Sequence, residues 1–240
     1  MAAEASAKYE AACDRIRGLN LGDYSAAPAS SEEFKCEHKY FGSGAGIGEF
    51  SNFCELQHPV EFEGRLYPTT EHAYQAEYRV DERDRHRFAV GGDLASIETG
   101  IPLVADKKGT VASKVKHWSA KGNRPAMPGI VAKMAVHPKR AKRLKIRLCK
   151  SKDDPRDMVE IKSIFKAVLL SKYRRNPLLR YKLLATGDVP LVEFSRSAKR
   201  ESDAGRPPLW TGMVKDGMLY GQNLMGNMMM GVRDQLAAEA

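Results

Sequence analysis

Glu71, Tyr74, Gln75 and Tyr78 recur at i, i+3, i+4 and i+7, a spacing that puts all four on one face of a helix. The surrounding residues predict that helix over Thr70–Arg79. Pro68 stops whatever strand precedes it, and Thr70 is a good N-cap. A carboxylate, an amide and two phenols do not make an ordinary core stripe. They suit the wall of a site for a polar, ring-containing ligand. An acid in a first turn also simply complements the helix dipole, a contribution of about 0.3–1 kcal/mol. Because the dipole favours the ionised form, Glu71 is expected to act as a base, a nucleophile or a cation stabiliser rather than as a proton donor.

The residues around this stripe carry a more specific signal. Phe50-Ser51-Asn52-Phe53 is followed by Tyr67-Pro68-Thr69-Thr70-Glu71-His72-Ala73-Tyr74-Gln75-Ala76. Further on come Lys172-Tyr173, then Leu184-Ala185-Thr186-Gly187-Asp188 with Leu191-Val192-Glu193. Gly221-Gln222-Asn223-Leu224-Met225-Gly226 with Val232-Arg233 stands near the C-terminus. In type and order these segments resemble the signature of the NADAR superfamily of N-glycosidases. They fall in two blocks, about 41–78 and about 158–236, that together make up roughly half the chain.

The resemblance implies cleavage of an N-glycosidic bond to ribose. Two substrate classes go with it: ADP-ribose attached to guanine in nucleic acid, and phosphoribosylated intermediates of riboflavin synthesis. A non-catalytic module that binds ADP-ribose or NAD is a third reading. Breaking such a bond builds oxocarbenium character on the ribose, which a nearby carboxylate stabilises. Glu71 is the expected catalytic carboxylate; the acid that protonates the leaving base is not assigned. Ser51, Asn52, Phe53, Tyr74 and Gln75 are the expected substrate contacts from the first block. Asn52 would hydrogen-bond a ribose hydroxyl or base edge, although Asn in a loop also forms turns.

From the second block, Gly221 and Asn223 open a helix whose N–H groups suit a phosphate, or Asn223 is a plain cap. Lys172 and Arg233 are candidate diphosphate partners, or lie on solvated helix faces. Trp210 and Tyr74 would stack on a base, or pack into the core. Asp188, Glu193 and Asp203 are further candidate site residues. Asp188 follows Gly187 and would also serve a turn. Two departures from the family pattern bear on these roles. The family has an Asp shortly before Tyr-Trp-Gly, whereas here the nearest acid upstream of Trp210-Thr211-Gly212 is Asp203, so the second carboxylate of the pattern is displaced or absent. Asp157-Met158 stands where Asp-Trp is usual, and Trp118 is a possible substitute for that aromatic.

The expected scaffold is an α+β fold, a predominantly helical single domain with a small β-sheet. Residues 1–33 read as a weakly ordered leader, and 34–240 as the domain with a basic insertion at about 107–152. Strands are expected over Phe34–Phe41 and Val189–Phe194, with a hairpin at 60–67. Helices are expected over Thr70–Arg79, Asp84–Val90, Asp157–Tyr173, Pro177–Ala185 and Asn223–Ala237. Ile161, Ile164, Phe165, Val168 and Leu169 recur at helical spacing and predict burial of the third helix.

The net charge of +9 is uneven: Lys107 to Lys152 carries 15 of the 39 Lys/Arg and none of the 30 acids. Such a block suits nucleic acid, and Lys139-Arg140-Ala141-Lys142-Arg143 also fits a nuclear-localisation signal. No apolar run is long enough to span a membrane, and no secretory signal is evident. The four cysteines lack metal-ligand spacing. An intracellular protein, cytoplasmic or nuclear, without metal or other cofactor, is the expectation.

Overall fold

The computed structural model describes residues 39–41, 48–95, 129–137, 141, 146–148 and 158–239. The expected leader, residues 42–47 and most of the basic segment, Trp118 included, lie outside the described residues. In chain order the described elements are β1 (Lys39–Phe41), β2 (Val60–Phe62), β3 (Arg65–Tyr67), α1 (Thr70–Arg79), α2 (Glu82–Arg85), α3 (Gly129–Val136), α4 (Met158–Arg175), α5 (Pro177–Leu184), β4 (Leu191–Glu193), α6 (Ala198–Asp203), β5 (Met213–Lys215), β6 (Met218–Tyr220) and α7 (Leu224–Ala238), with 3-10 turns at Gly48–Phe50 and His86–Phe88. This is a helix-dominated α+β domain, as expected. Among the described residues its β component is three two-stranded pairs rather than one sheet. No described helix is long and apolar enough to cross a membrane. Two compact units make up the domain, one of residues up to Ile47 together with Tyr181–Ala240, the other of Gly48–Arg180.

The unit Gly48–Arg180 carries the Glu71 stripe. β2 and β3 pair antiparallel with Val60 opposite Tyr67. Their turn residues Glu63 (φ 48°) and Gly64 (φ 71°) are both left-handed, the combination that matches the twist of a tight hairpin. Helix α1 packs against α3 and α4. On α4 the expected stripe is buried: Ile161, Ile164, Phe165, Val168 and Leu169 all face the core. Val131, Ala132, Met134 and Ala135 of α3 are buried too. The segment read as a basic insertion therefore contains an apolar helix that belongs to the core.

The helix expected over Asp84–Val90 instead begins at Glu82, with Asp81 capping the Arg83 N–H at 3.2 Å. It gives way to a 3-10 turn at His86, and the Val90 N–H pairs with the Leu66 carbonyl at 2.7 Å. That bond to β3 removes Val90 from the helix.

In the other unit β1 pairs in parallel with β4, Lys39 opposite Leu191. Only the last three residues of the strand expected over Phe34–Phe41 are described. β5 and β6 form a second tight hairpin through Asp216 (φ 52°) and Gly217 (φ 74°). Helix α7 lies against β4 so closely that a Cβ on Gly226 would sit 2.1 Å from the Leu191 carbonyl oxygen.

Candidate active site

Helix α1 is capped by Thr69, not Thr70. Thr69 is extended (φ −143°, ψ 160°) and its hydroxyl accepts the His72 N–H at 3.2 Å, whereas Thr70 is already the first helical residue. His72 is fully buried between Thr69 Oγ1 (Nδ1, 2.8 Å) and the Leu94 carbonyl (Nε2, 2.9 Å). Burial pushes its pKa down to about 4. It is therefore neutral at physiological pH, with Nε2–H donating to Leu94 and Nδ1 accepting from the Thr69 hydroxyl. This anchors the first turn of α1 and leaves His72 no open nitrogen for chemistry.

The loop carrying Ser51, Asn52 and Phe53 is fastened from two sides. The Glu71 backbone N–H donates to the Asn52 carbonyl at 2.9 Å, and Ser51 Oγ accepts the Phe53 N–H at 3.3 Å. From α4, the Lys172 ammonium donates to the carbonyls of Glu49 (3.2 Å), Phe50 (3.0 Å) and Ser51 (3.2 Å). Lys172 is fully buried. A lysine has three donors, and three carbonyls meet them. The diphosphate role expected for Lys172 gives way to a structural one: it holds the loop. The sequence contained the signal, because Lys172 continues the buried stripe of α4 at Ile161 + 11 and Phe165 + 7.

Glu71 itself is buried, 5% exposed. Its Oε1 accepts from Gln75 Nε2 at 2.7 Å, the i,i+4 contact that the spacing predicts. The buried Gln75 Oε1 has no hydrogen-bond partner among the described residues. Burial raises the pKa of Glu71 above the ordinary carboxylate value, against the counter-pull of Lys133 and of the Gln75 hydrogen bond. Desolvation thus outweighs the helix dipole in setting the direction of the shift. A carboxylate with a raised pKa is a better proton acceptor once ionised, which suits a group that positions a water.

Tyr74 is stacked on Phe165 (4.0 Å between centroids, 29°) and on Tyr78 (5.3 Å, 22°). The ring stacking expected of Tyr74 toward a base is taken up inside the protein, and Tyr74 forms floor rather than platform. Lys133 of α3 is exposed, with its ammonium 5.1 Å from the centroid of the Phe53 ring. One turn earlier, Gly129 donates its N–H to the Phe53 carbonyl at 3.2 Å. A Cβ there would lie 2.7 Å from Phe53 Cα and 3.1 Å from Glu71 Cβ. Sequence reasoning missed both residues. The signal was the apolar run Gly129-Ile130-Val131-Ala132-Lys133-Met134-Ala135-Val136, hidden by counting charge over the whole basic segment.

The other expected site residues lie in the other unit. Asn223 is buried and left-handed (φ 49°) and does not cap α7 with its side chain. Its Oδ1 accepts the Glu193 N–H at 3.0 Å and its Nδ2 donates to the Leu191 carbonyl at 2.8 Å. The side chain clamps α7 to β4. The N–H groups of Gln222, Asn223, Leu224 and Met225 donate to the carbonyls of Pro208, Thr211, Leu209 and Trp210. The phosphate seat expected at the start of this helix is therefore filled by the chain's own carbonyls.

Gly221 is left-handed (φ 90°), and a Cβ would meet the Thr211 carbonyl oxygen at 2.3 Å, so glycine is required for the backbone approach. Arg233 is buried and its Nη1 donates to Thr186 Oγ1 (2.9 Å) and the Val189 carbonyl (2.8 Å). It braces the turn after α5 instead of reaching a diphosphate. Asp188 is exposed on that turn, Glu193 and Trp210 are half-buried, and Asp203 is exposed and paired with Lys199 at 2.7 Å. That pairing argues against Asp203 as a second catalytic carboxylate.

Of the expected residues, the structure thus gathers Ser51, Asn52, Phe53, Glu71, Tyr74 and Gln75 around the first turns of α1, with Lys172 behind the loop. The gathered groups are a buried carboxylate, an amide with an open acceptor, a loop held by backbone bonds and an exposed cation at the rim. This set can stabilise a developing positive charge and receive an anion beside it.

No family model matches the chain. Curated relatives do: the N-glycosidase YbiA proteins of Shigella sonnei and of Escherichia coli (strain K12) are each 23% identical over 202 residues, covering 83% of this chain and 88% of the relative. The NMR structure of E. coli YbiA aligns over 89% of this chain and 95% of its own, at 20% identity and a TM-score of 0.47. The sequence similarity to these relatives agrees with the motif resemblance: the chain is similar to the YbiA N-glycosidases along most of its length.

Proposed function

We propose that the protein is an N-glycosidase that removes ADP-ribose from guanine bases in DNA or RNA, with Glu71 as the catalytic carboxylate. In this reaction the oxygen of water bonds to C1 of the ribose. The bond from C1 to the base nitrogen breaks, its electron pair leaves with the base, and a proton derived from water ends on the base. Positive charge builds on the ribose as the bond stretches, and an ionised carboxylate held nearby lowers the barrier. The observation that carries this reading is the burial of Glu71 at the head of α1, oriented by Gln75 at 2.7 Å. Gln75 Oε1 is available to a ribose hydroxyl or the attacking water.

The N-glycosidase class is supported by the similarity to the YbiA relatives. The choice of nucleic acid is supported by the acid-free basic segment 107–152, since a small phosphorylated metabolite does not need such a surface. Incubation of a guanine-ADP-ribosylated oligonucleotide with wild type and Glu71→Gln, followed by chromatography of released ADP-ribose, tests both parts. Release by wild type and not by the variant is the expected result. Binding of ADP-ribose without release would favour the reader, a reading supported by the engagement of Asp203 with Lys199. Neither binding nor release would direct attention to phosphoribosylated riboflavin intermediates.

A further inference from the structure

We infer that Lys133 is the phosphate anchor of the Glu71 site, a specificity residue that makes this site prefer phosphorylated ribosides over bare ones. The inference rests on the reading of the Glu71 site as one that holds a ribose. Helix α3 meets the head of α1 through Gly129, where there is no room for a side chain: an added Cβ would lie 2.7 Å from Phe53 Cα and 2.9 Å from Thr69 Oγ1. Lys133 stands four residues on and therefore shares that face of α3. Its stem rises from the helix next to the loop and to Glu71.

The ammonium lies 5.1 Å from the centroid of the Phe53 ring. This is within cation–π range and keeps the charge beside the loop instead of sweeping through solvent. Lys133 is exposed and forms no ion pair among the described residues. Its own stretch of chain, Lys107 to Lys152, contains no acid that could neutralise it.

The arrangement of charge is what selects the ligand. A phosphorylated riboside undergoing cleavage carries an anion on the phosphate and a growing cation on the ribose ring. The site presents the opposite pair, an exposed ammonium at the rim and a buried carboxylate. Their attraction is felt at Glu71, where Lys133 opposes the rise in pKa caused by burial. Packing on Phe53 alone would need no charge at position 133, so the charge calls for a second explanation. A lysine suits a single phosphate oxygen as a point charge.

The test is the dissociation constants of ribose 5-phosphate and of ribose, measured by NMR titration on the full chain, for wild type, Lys133→Met and Lys133→Arg. Wild type is expected to favour ribose 5-phosphate by about tenfold, the lower end for a charge-assisted contact because Lys133 is exposed. Lys133→Met should remove most of that preference and Lys133→Arg should keep it. A merely structural lysine would not move the difference between the two ligands. No preference in wild type, or a preference that survives in Lys133→Met within about twofold, overturns the anchor. The oligonucleotide assay on wild type separates this from the functional reading. Phosphate preference without cleavage removes the glycosidase and keeps the anchor; cleavage without phosphate preference removes the anchor alone.

Discussion

Lys172→Met distinguishes a lysine that serves the fold from one that serves a ligand. The ammonium is wholly buried and donates to three successive loop carbonyls at 3.2, 3.0 and 3.2 Å. Hydrogen bonds to a charged group contribute about 1.5–3 kcal/mol each, so three amount to about 4–9 kcal/mol before costs. Against this stands the desolvation of the ammonium, several kcal/mol even after relaxation. Methionine keeps the length and apolar stem but leaves the carbonyls of Glu49, Phe50 and Ser51 without this donor. The bonds at 3.2 Å are at the long end of the range, which places the expected loss near the lower bound for a broken buried charge, about 3 kcal/mol. For a domain of ordinary stability that is a large share of the total.

The assay is urea unfolding followed by circular dichroism, with a lower midpoint and an unchanged slope. ADP-ribose affinity, measured on the folded fraction, should change less than stability does. A loss under about 1 kcal/mol together with a collapse of ADP-ribose binding would refute the structural assignment. It would restore Lys172 as a ligand group.

Glu71→Gln should lower cleavage by roughly 10²–10³-fold, the scale of removing one electrostatic contact at a reacting centre; turnover within threefold of wild type would take Glu71 out of the mechanism. The same substitution should stabilise the folded protein at neutral pH. The folded-state pKa of Glu71 lies above the unfolded value, so the native state holds its proton longer and stability falls as pH rises from the unfolded to the folded pKa. Thermal unfolding at pH 7 and pH 4 should show a gain for Glu71→Gln that shrinks at the acid end. For the same reason the acid limb of the rate profile should lie above the ordinary carboxylate value, and Lys133→Met should move it higher still. Gly129→Ala should cost about 1–3 kcal/mol in urea unfolding and impair cleavage, because the added methyl meets the Phe53 backbone at 2.7 Å. Asn223→Ala removes two hydrogen bonds to β4 and should lower stability by about 1–3 kcal/mol while leaving ADP-ribose affinity unchanged.

Local signals were legible where local chemistry decides. The bounds of α1 follow from Pro68 and the polar stripe, and the hairpin at 60–67 follows from Glu63-Gly64 between apolar residues. The cap moved by one residue because either threonine could serve, and only the extended backbone of Thr69 decides which. The β5–β6 hairpin carried a readable Asp216-Gly217 signal that was missed. The parallel pairing of β1 with β4, by contrast, joins residues about 150 positions apart, and no local pattern encodes it.

The same division holds at the site. Glu71 and Gln75 meet because helical spacing brings them together. Lys172, Asn223 and Arg233 resemble ligand groups in sequence but bind main-chain carbonyls and a threonine in space. A motif cannot say whether a polar residue faces a substrate or the backbone that shapes the pocket. Lys133 shows the reverse case, a charge that looked like one of many until α3 brought it over Phe53.

The double fastening of the Ser51–Phe53 loop bears on the order in which the protein is made. Glu71 and the loop leave the ribosome early, but the lysine that grips the loop lies 121 residues beyond Ser51. Until that stretch of α4 is synthesised and docked, the loop is tied only at Asn52 and Phe53, by the amides of Glu71 and Gly129, and the carbonyls of Glu49, Phe50 and Ser51 lack their ammonium. A nascent or truncated chain that stops before Lys172 thus carries Glu71 without the lysine that fixes the neighbouring loop. Assembly of the Glu71 site is withheld until most of the protein exists.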